Sequence, residues 1–457
     1  MMRLNLLNIS HAKDDGKQVT QYLASISGIY QGWPSPSLVK ILSNEYPIEV
    51  TEEEASYIAV IGSIGHVFAA FLAASLSDWI GRKNTILCIA LPQIASFSLI
   101  SFSYHSKILL YFAQVLAGMG EGASFAVVPS YIAEISEPNI RGTLGTYSTL
   151  AMTFGTLFIN TIGTYLSIPM AALICHAFPI LFLLTFSSMP ESPYYCLMKN
   201  NSKEAHTNLQ ILRRSQNITE EIKEISQAVK RQMSERGTFK DLFMVDSNRK
   251  AFIIATAARI FQAYTGVAAI TAYTQIIILQ NTNFSALLGS TMIFAGKLVA
   301  IMVSFTYIDR IGRKPMFALC CLGCALILYA QAIFLTIKDY TNINMESILW
   351  VPVLLILLWN IVFAGGLASG VNIYIGEIFS TSIKAKAMSA SGVTFALTFM
   401  STVKIFQYTS DNIGAAVPFY IFATFSLVGT MYLAFVIPET KGKTLETIQQ
   451  ELKGNLE

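Results

Sequence analysis

Charged residues are scarce in this chain of 457 residues. They make up 13% of it, whereas apolar residues make up 53%. A soluble domain carries about 25% charged residues, so this chain lacks the polar surface that a water-soluble protein needs. Its net charge of +3 is also too small to indicate binding to nucleic acid. The composition therefore predicts a protein whose surface faces a lipid bilayer.

Side chains suited to catalysis or metal binding are also few. The five histidines are scattered without metal-ligand spacing, and no G-x-x-x-x-G-K-[ST] phosphate loop precedes a helix. The six cysteines fall in apolar runs or beside a basic loop, which favours neither a disulfide nor a zinc site. We therefore expect no metal, no cofactor, no enzymatic activity and no ATP-driven pumping. The first twenty residues also lack the pattern of a secretory signal peptide, so the first apolar run is expected to direct insertion.

Long apolar runs are what the chain has in abundance. With a window of about 20 residues, six are found before a polar interval and six after it. Because backbone polar groups find no water inside a bilayer, runs of this length must be helical. Runs 1, 7 and 10 contain Gly, Pro or small polar residues, which suggests helix breaks or close helix contacts. The runs lie near 20–40, 56–77, 84–104, 108–133, 144–166, 169–189, 251–279, 286–308, 315–336, 348–376, 387–408 and 415–437.

The cations predict the orientation of these runs. The termini and the loops from each even run to the next odd run hold 25 of the 31 lysines and arginines. By the positive-inside rule that side is cytoplasmic, and both termini lie there. The sequon at Asn283 then lies outside the cell, where it can be glycosylated. The cation-poor external loops fit a plasma membrane.

The runs also divide the chain into segments. The polar interval between the two sets of six interleaves Lys and Arg with Glu. We interpret it as a solvated cytoplasmic linker, and the alternative is a segment that binds a regulator. The expected segments are a cytoplasmic N-terminus at 1–19, a first bundle at 20–189, the linker at 190–250, a second bundle at 251–437 and a cytoplasmic tail at 438–457.

A charged motif occurs twice, about half a chain apart. Asp78 begins the sequence D-W-I-G-R-K, and Asp309, which is 231 residues later, begins D-R-I-G-R-K. Glu134 is likewise followed by Glu377, 243 residues later. Each copy joins the end of one apolar run to the start of the next. This order of repeats indicates two similar halves in tandem.

These motifs carry a resemblance to a known family. The first half closes on Pro190-Glu191-Ser192-Pro193 and the second on Pro438-Glu439-Thr440. Together with the paired D-x-x-G-R-K loops, the chain resembles the sugar porter branch of the major facilitator superfamily, most closely the insect facilitated trehalose transporters. The resemblance implies an all-α membrane protein with twelve transmembrane helices in two pseudo-symmetric six-helix bundles. It also implies a carrier of trehalose or a hexose that works by alternating access.

In the family that the chain resembles, the charged motifs form a cytoplasmic latch, which is tied when that side is shut. A carboxylate at the end of one run and a cation at the start of the next can form charge-assisted hydrogen bonds. The alternative is charge that only fixes orientation, but orientation depends on cations and leaves the acidic partners unexplained. The resemblance assigns to the latch Asp78, Arg82, Glu134 and Arg141 in the first half, and Asp309, Arg313, Glu377 and Lys384 in the second.

The residues expected at the sugar site depart from the family pattern. Sugar porters carry Gln-Gln-x-Ser-Gly-x-Asn in run 7, whereas 262–268 here reads Q-A-Y-T-G-V-A. The usual Gln of run 5 is Thr149, and the Asn position of run 8 holds Lys297. Because each unpaired buried polar group costs about 1–3 kcal/mol, fewer amides predict weaker binding of common hexoses, or another solute. The substrate-binding residues expected from the resemblance are Gln262, Thr149, Lys297, Tyr264, Thr265 and Asn372.

Three ionisable residues fall within the apolar runs, namely Glu121, Arg259 and Lys297. Charge at the centre of a bilayer is costly, so such residues are functional candidates by default. Arg259 and Lys297 can form a positive pocket for an anionic solute, and Glu121 can couple transport to a proton gradient, with Arg259 as a second coupling candidate. Alternatively, Glu121 pairs with a nearby cation for structural reasons, or Arg259 reaches the membrane surface.

The sequence therefore predicts a monomeric twelve-helix carrier whose partners are a small-molecule sugar and the lipid bilayer. Two alternatives stay open. One is a carrier of an organic anion that uses Lys297 and Arg259, and the other is a transport-inactive relative that acts as a sensor or binding protein. Uniport and proton symport are both compatible with the sequence.

Overall fold

The computed structural model of the chain is helical throughout its described residues, without strands. Ten of its helices are long and apolar enough to cross a membrane. Two further apolar helical segments, at 21–41 and Arg141–Tyr165, bring the number that matches the predicted runs to twelve. The residues described are 21–43, 45–136, 141–213, 218–234, 239–304, 311–341, 344–379, 383–441, 443, 447–448 and 450–451.

The twelve helices are numbered α1 to α12 in chain order. The first six are α1 (21–32, continued by Pro34–Ile41), α2 (Glu52–Ile80), α3 (Arg82–Ser101), α4 (Lys107–Ile135), α5 (Arg141–Tyr165) and α6 (Ile168–Phe186). The second six are α7 (Asp246–Asn281), α8 (Ala286–Ser304), α9 (Arg313–Tyr340), α10 (Val351–Ile378), α11 (Lys384–Asn412) and α12 (Val417–Phe435).

The helix packing repeats between the two halves. In the first half α2 packs on α4, α3 on α4, and α3 on α6. The second half repeats each pair six helices later, as α8 on α10, α9 on α10, and α9 on α12. Between the halves, α1 packs on α7, α2 on α11, and α5 on α8. These contacts also interchange when each helix is replaced by its counterpart in the other half, so the whole arrangement is pseudo-two-fold.

Four of the described helices are interrupted. α2 and α6 have a one-residue turn at Ile61 and His176, and α1 and α7 are broken where small or turn-forming residues interrupt the apolar pattern. α1 turns at Trp33, immediately before Pro34. α7 is interrupted at Gly266, whose φ of +87° lies in the left-handed region that glycine adopts most readily. α10 is continuous, and its glycines allow close packing instead: a Cβ on Gly366 would lie 2.6 Å from Cys320 Sγ. Of the two predicted alternatives, a helix break or close helix contacts, run 10 therefore shows the close contacts.

Large apolar side chains cover the outside of the bundle. Phe68, Leu184 and Phe435 are 61%, 69% and 83% exposed, respectively. Side chains of this kind would be costly in water, and they instead match the acyl chains of a bilayer. Most charged residues lie at the helix ends and in the segment between α6 and α7, and Glu121, Arg259 and Lys297 lie within helices.

The segment between the halves is helical, with a small core of its own. Four short helices precede or lead into α7, and two of them carry apolar faces that meet. The cluster consists of Leu209, Ile218, Ile225 and Val229. The short helices are Pro193–Met198, Ser202–Arg213, Thr219–Ser234 and Asp241–Met244, and α7 begins at Asp246, five residues before the predicted start of run 7.

Candidate functional site

A cavity of about 420 Å³ lies between the two halves. This volume is within the range of about 300–1,000 Å³ that is typical of small-molecule sites. Helices α1, α2, α4 and α5 line it from the first half, and α7, α8, α10 and α11 line it from the second. The cavity extends to Ala133, near the end of α4, and to Met388, near the start of α11. That end of the molecule also carries Arg82 and Arg313, and we call it the charged end.

Hydrogen bonds between the halves close the opposite end. Asn160 of α5 donates to Ser290 Oγ of α8 at 2.8 Å, and its Oδ1 accepts from Gln275 Nε2 of α7 at 3.0 Å. Lys404 Nζ of α11 donates to Ser56 Oγ of α2 at 2.6 Å. All five residues lie in the parts of their helices that are farthest from the charged end. The cavity is therefore shut on one side and reaches toward the other.

Arg259 of α7 is buried in the cavity wall, where its hydrogen-bond partners are neutral. Its guanidinium donates to Gln262 Oε1 at 2.8 Å, to Asn372 Oδ1 at 2.6 Å and to Ser391 Oγ at 3.3 Å. It also lies 5.7 Å from the centroid of the Phe395 ring, within reach of a cation–π contact. These contacts hold Arg259 within the bundle, so it does not extend to the membrane surface.

Four of the six residues predicted to bind substrate line this cavity. They are Gln262, Thr149, Lys297 and Asn372. The amide of Gln262 is already engaged, because its Nε2 donates to the Leu367 carbonyl at 2.6 Å while its oxygen accepts from Arg259. The Lys297 ammonium lies 5.9 Å from the centroid of the Phe363 ring.

Tyr264 and Thr265 lie outside the cavity lining, which corrects the sequence expectation. The break in α7 directs Tyr264 toward α11 and α12, where its hydroxyl lies 3.1 Å from Ser401 Oγ and its ring packs on Phe425. Thr265 is fully buried at the break, and its hydroxyl donates to the carbonyl of Gln262 at 2.7 Å. Both residues stabilise the break instead of facing the cavity.

Glu121 of α4 lies beside the cavity and contacts neutral or weakly basic groups. Gln31 Nε2 donates to its carboxylate at 2.7 Å, and His66 Nδ1 lies 3.7 Å from its other oxygen. A Lys or Arg, the structural partner offered as one alternative for Glu121, is not among these contacts. The described part of the chain has no group of three or more His, Cys, Asp or Glu that could hold a metal ion.

Two polar atoms in the cavity wall were missed from the sequence. His66 Nε2 on α2 and Ser369 Oγ on α10 are buried and have no hydrogen-bond partner among the described residues. The ring of His66 lies near those of Phe125 and Phe395. The sequence signal for His66 is a lone polar ring within an apolar run, which metal-ligand spacing does not reveal. The two residues line the cavity from opposite halves.

The charged motif of the first half forms a compact cluster. The Arg82 guanidinium donates to Asp78 Oδ1 at 3.1 Å and to Glu134 Oε1 at 3.2 Å. Ser192 donates its hydroxyl to the other oxygen of Glu134. The side chain of Arg141 lies outside the part of the structure that is described. The bonds named here join α2, α3, α4 and the segment after α6, all within one half.

The second half repeats this cluster. Arg313 donates to Glu377 Oε1 at 3.0 Å, and Thr440 Oγ1 donates to Glu377 Oε2 at 2.6 Å. Arg313 is thus the equivalent of Arg82, and Thr440 is the equivalent of Ser192. Lys384 begins α11 next to this cluster, with its ammonium close to Gly376. Asp309 lies outside the described residues.

Glu191 and Glu439 accept backbone N–H groups at the starts of α3 and α9. Each carboxylate binds the first two N–H groups of its helix, at 3.1 Å in α3 and at 2.9 and 3.1 Å in α9. These N–H groups have no partner within the helix, and the helix dipole favours a negative charge there. The preceding glycines, Gly81 and Gly312, have φ of +98° and +100°.

The two carboxylates titrate differently. Burial acts to raise the pKa of both. It prevails for Glu191, whose pKa lies above its usual range. For Glu439, four backbone N–H groups outweigh burial and the pKa lies below its usual range. On acidification Glu191 therefore takes up a proton before Glu439 does.

The family that matches is described as "Sugar (and other) transporter", and the match spans residues 22–452. This chain belongs to the sugar transporter family. It is 29% identical to the facilitated trehalose transporter of Anopheles gambiae over 96% of its own length, and spans 56% of that protein. It is 28% identical to that of Apis mellifera ligustica, covering 93% of this chain and 85% of the relative. The chain thus spans about half the length of the first of these relatives.

The fold is similar to that of solved carriers. The xylose transporter XylE from E. coli, in a partially occluded inward-open conformation, superimposes with a TM-score of 0.79 at 18% identity, covering 95% of this chain and all of that one. The family and this fold establish a multi-pass membrane protein with the twelve-helix major facilitator fold. The two pseudo-symmetric six-helix bundles expected from the sequence are confirmed.

Proposed function

We propose that this chain carries a sugar, such as trehalose or a hexose, across a membrane. The observation that carries this proposal is a cavity between the halves, whose wall contains two residues with an unpartnered buried polar atom, His66 on α2 and Ser369 on α10. A sugar hydroxyl both donates and accepts, and pairing each atom recovers part of the roughly 1–3 kcal/mol that an unpaired buried group costs. The names of the trehalose-transporting relatives and of the xylose transporter support the same solute class.

The mechanism that we propose is alternating access. A solute that bonds to both His66 and Ser369 bridges the two halves, so binding is coupled to their relative position. In the present conformation, the bonds around Asn160 shut one end while the cavity reaches the other. Rocking of the pseudo-symmetric halves about the solute would break these bonds and close the charged end. The clusters of Arg82 and Arg313 would then act as the gate at that end.

We further propose that the charged end is cytoplasmic, as are both termini and the linker, in a plasma membrane. The excess of cations on that side supports this orientation. Asn283 is exposed at the opposite end and would be glycosylated there. One chain supplies both walls of the cavity, so the carrier acts as a monomer. It moves its solute without chemical change and is not an enzyme.

The proposal is tested by uptake into proteoliposomes that contain the purified full chain. Labelled glucose and trehalose are offered to the parent protein and to the variants His66→Leu and Ser369→Ala. Each variant loses one hydrogen bond to the solute, so uptake should fall by about 2- to 10-fold. Ser187→Ala is the matched control, because Ser187 is exposed on the outside of the bundle.

Folded protein that takes up neither sugar would contradict the proposal and favour the transport-inactive alternative. Uptake that is insensitive to both cavity variants would show that the solute binds elsewhere. Tryptophan fluorescence and monodispersity of each variant establish that it is folded before uptake is measured.

A further inference from the structure

The charge of the cavity wall is one-sided. Arg259 and Lys297 both line it, whereas none of its lining residues is Asp or Glu. Sugars such as glucose and trehalose are neutral and need hydrogen-bonding groups but no counter-charge. Two cations on one wall are therefore more than a neutral sugar requires.

The partners of Arg259 engage three of its donors and do not neutralise its charge. A guanidinium has five N–H donors, and Gln262, Asn372 and Ser391 accept from three of them. All three acceptors are neutral. One N–H donor therefore remains on each terminal nitrogen of a residue that lines the cavity, and a carboxylate or a phosphate can accept from two such donors.

Lys297 supplies the second positive charge from the adjacent helix. Its ammonium lies over Phe363, and that ring provides a weak quadrupolar contact instead of a counter-ion. A buried cation without a paired anion is strongly disfavoured in a membrane. An anionic solute that pairs with Arg259 and Lys297 would explain why both cations lie beside one cavity.

The carboxylate of Glu121 does not serve as that anion. It belongs to an adjoining smaller cavity behind His66, and it is engaged by Gln31 and His66 of the first half. Arg259 and Lys297 belong to the second half. The negative charge that would pair with them must therefore come from the solute.

We propose that the cavity binds a sugar that bears an anionic group, a carboxylate or a phosphate, paired with Arg259 and Lys297. This inference rests on the proposed function, because it names the class of solute for the same cavity. The sugar hydroxyls would bond to His66 and Ser369 on the two facing walls. The anionic group would lie against the second half, between α7 and α8.

The experiment compares solutes that share one ring and differ in charge. Proteoliposomes with the full chain are offered labelled glucuronate, glucose 6-phosphate and glucose, and the neutral methyl ester of glucuronate is the competitor. At least one of the two anions should be taken up at least about tenfold faster than glucose, because charge-assisted hydrogen bonds exceed neutral ones. The two anions distinguish a carboxylate site from a phosphate site, and the ester should compete poorly.

Lys297→Met keeps the length of the side chain and removes its charge. This variant should lower anion uptake about tenfold more than it lowers glucose uptake, because only the anion pairs with the charge that is removed. Arg259→Gln should act in the same direction. Lys203→Met is the matched control, since Lys203 is an exposed cation far from the cavity in sequence and structure, and its solute preference should be unchanged.

The possible results separate the two proposals. If glucose is carried as fast as both anions, or if Lys297→Met lowers all solutes equally, this inference is wrong and sugar transport stands. If the protein carries simple organic anions such as lactate but no sugar, the cationic site stands and sugar transport is wrong. Uptake of no solute by folded protein contradicts both.

Discussion

Gly81 and Gly312 show how single residues in the repeated motif are fixed by their surroundings. Each has a positive φ, and each lies against the carboxylate that binds the start of the following helix. A Cβ on Gly81 would lie 2.2 Å from Glu191 Oε2, and one on Gly312 would lie 2.7 Å from Glu439 Oε2. The glycine in D-x-x-G-R-K is thus required by backbone conformation and by space at the same time.

Gly81→Ala should destabilise the first half. The left-handed conformation alone costs about 1–2 kcal/mol for a residue with a Cβ, and displacing Glu191 from the start of α3 adds to this. We expect a clear fall in the thermal unfolding midpoint of the detergent-purified protein. Gly376→Ala is the control, because its Cβ would make only an ordinary contact with the side chain of Lys384 at 3.6 Å. An unfolding midpoint that is the same for both variants would contradict the role of Gly81.

For single residues, the sequence predicted the members of the charged motifs. It predicted their hydrogen-bond partners less completely. Asp78, Arg82 and Glu134 were expected to pair, and the structure brings them together. Glu191 was recognised only as part of a family motif, because a bond from a loop carboxylate to a helix start 109 residues away has no local pattern. His66 was not predicted because it is a lone polar ring in an apolar run, without the spacing of a metal site.

Packing of helices from both halves creates a hydrogen-bond network around Asn160. α5, α7 and α8 each contribute one amide or hydroxyl to a network that joins the halves at the end opposite the charged clusters. Thr164 extends it by accepting from Gln275 at 2.7 Å. The network consists of side chains that look unremarkable in sequence, since their partners lie 111 to 130 residues away.

Asn160→Ala should loosen that closure. It removes the bonds to Ser290 and Gln275 together, so the opposite end should open more often. The measurement is the rate at which a membrane-impermeant thiol reagent, added from that end, labels a cysteine placed at Thr271 in the cavity wall. The background carries Cys88→Ser, because Cys88 is the exposed native cysteine in the described residues. We expect labelling to accelerate several-fold.

The neighbouring Thr161→Ala provides the control for this experiment. The hydroxyl of Thr161 donates to Leu157 within its own helix at 2.9 Å and joins nothing across the halves. Labelling that is equally slow in both variants would mean that the Asn160 network does not hold the opposite end shut.

Sequence patterns predicted the helices themselves with little ambiguity, because a bilayer permits few alternatives to long apolar helices. Breaks were harder. The glycine of α7 breaks that helix, whereas the glycines of α10 serve close packing against α9. Glycine permits both outcomes, and only the neighbouring helix decides between them. The same break explains why Tyr264 and Thr265 point away from the cavity despite their position in the family signature.

The whole molecule is a duplicated six-helix unit whose two copies meet around one cavity. The duplication was visible in the 231-residue spacing of the charged motifs, and it reappears in the bonds from Arg82 to Glu134 and from Arg313 to Glu377. The residues that line the cavity do not repeat between the two halves. Arg259 and Lys297 have no Lys or Arg counterparts among the lining residues of the first half. The helix arrangement and the charged clusters are therefore symmetric, whereas the solute site is not.

The most direct test of this account is a reversible lock at the opposite end. Asn160 and Ser290 hydrogen-bond across the halves at 2.8 Å, so the double variant Asn160→Cys with Ser290→Cys can be joined by oxidation or by a short bifunctional thiol reagent. Alternating access predicts that joining them abolishes uptake of every transported solute and that reduction of the disulfide restores it. Oxidation should not change the uptake of either single variant. Uptake that continues at its full rate with the two halves joined would contradict the account.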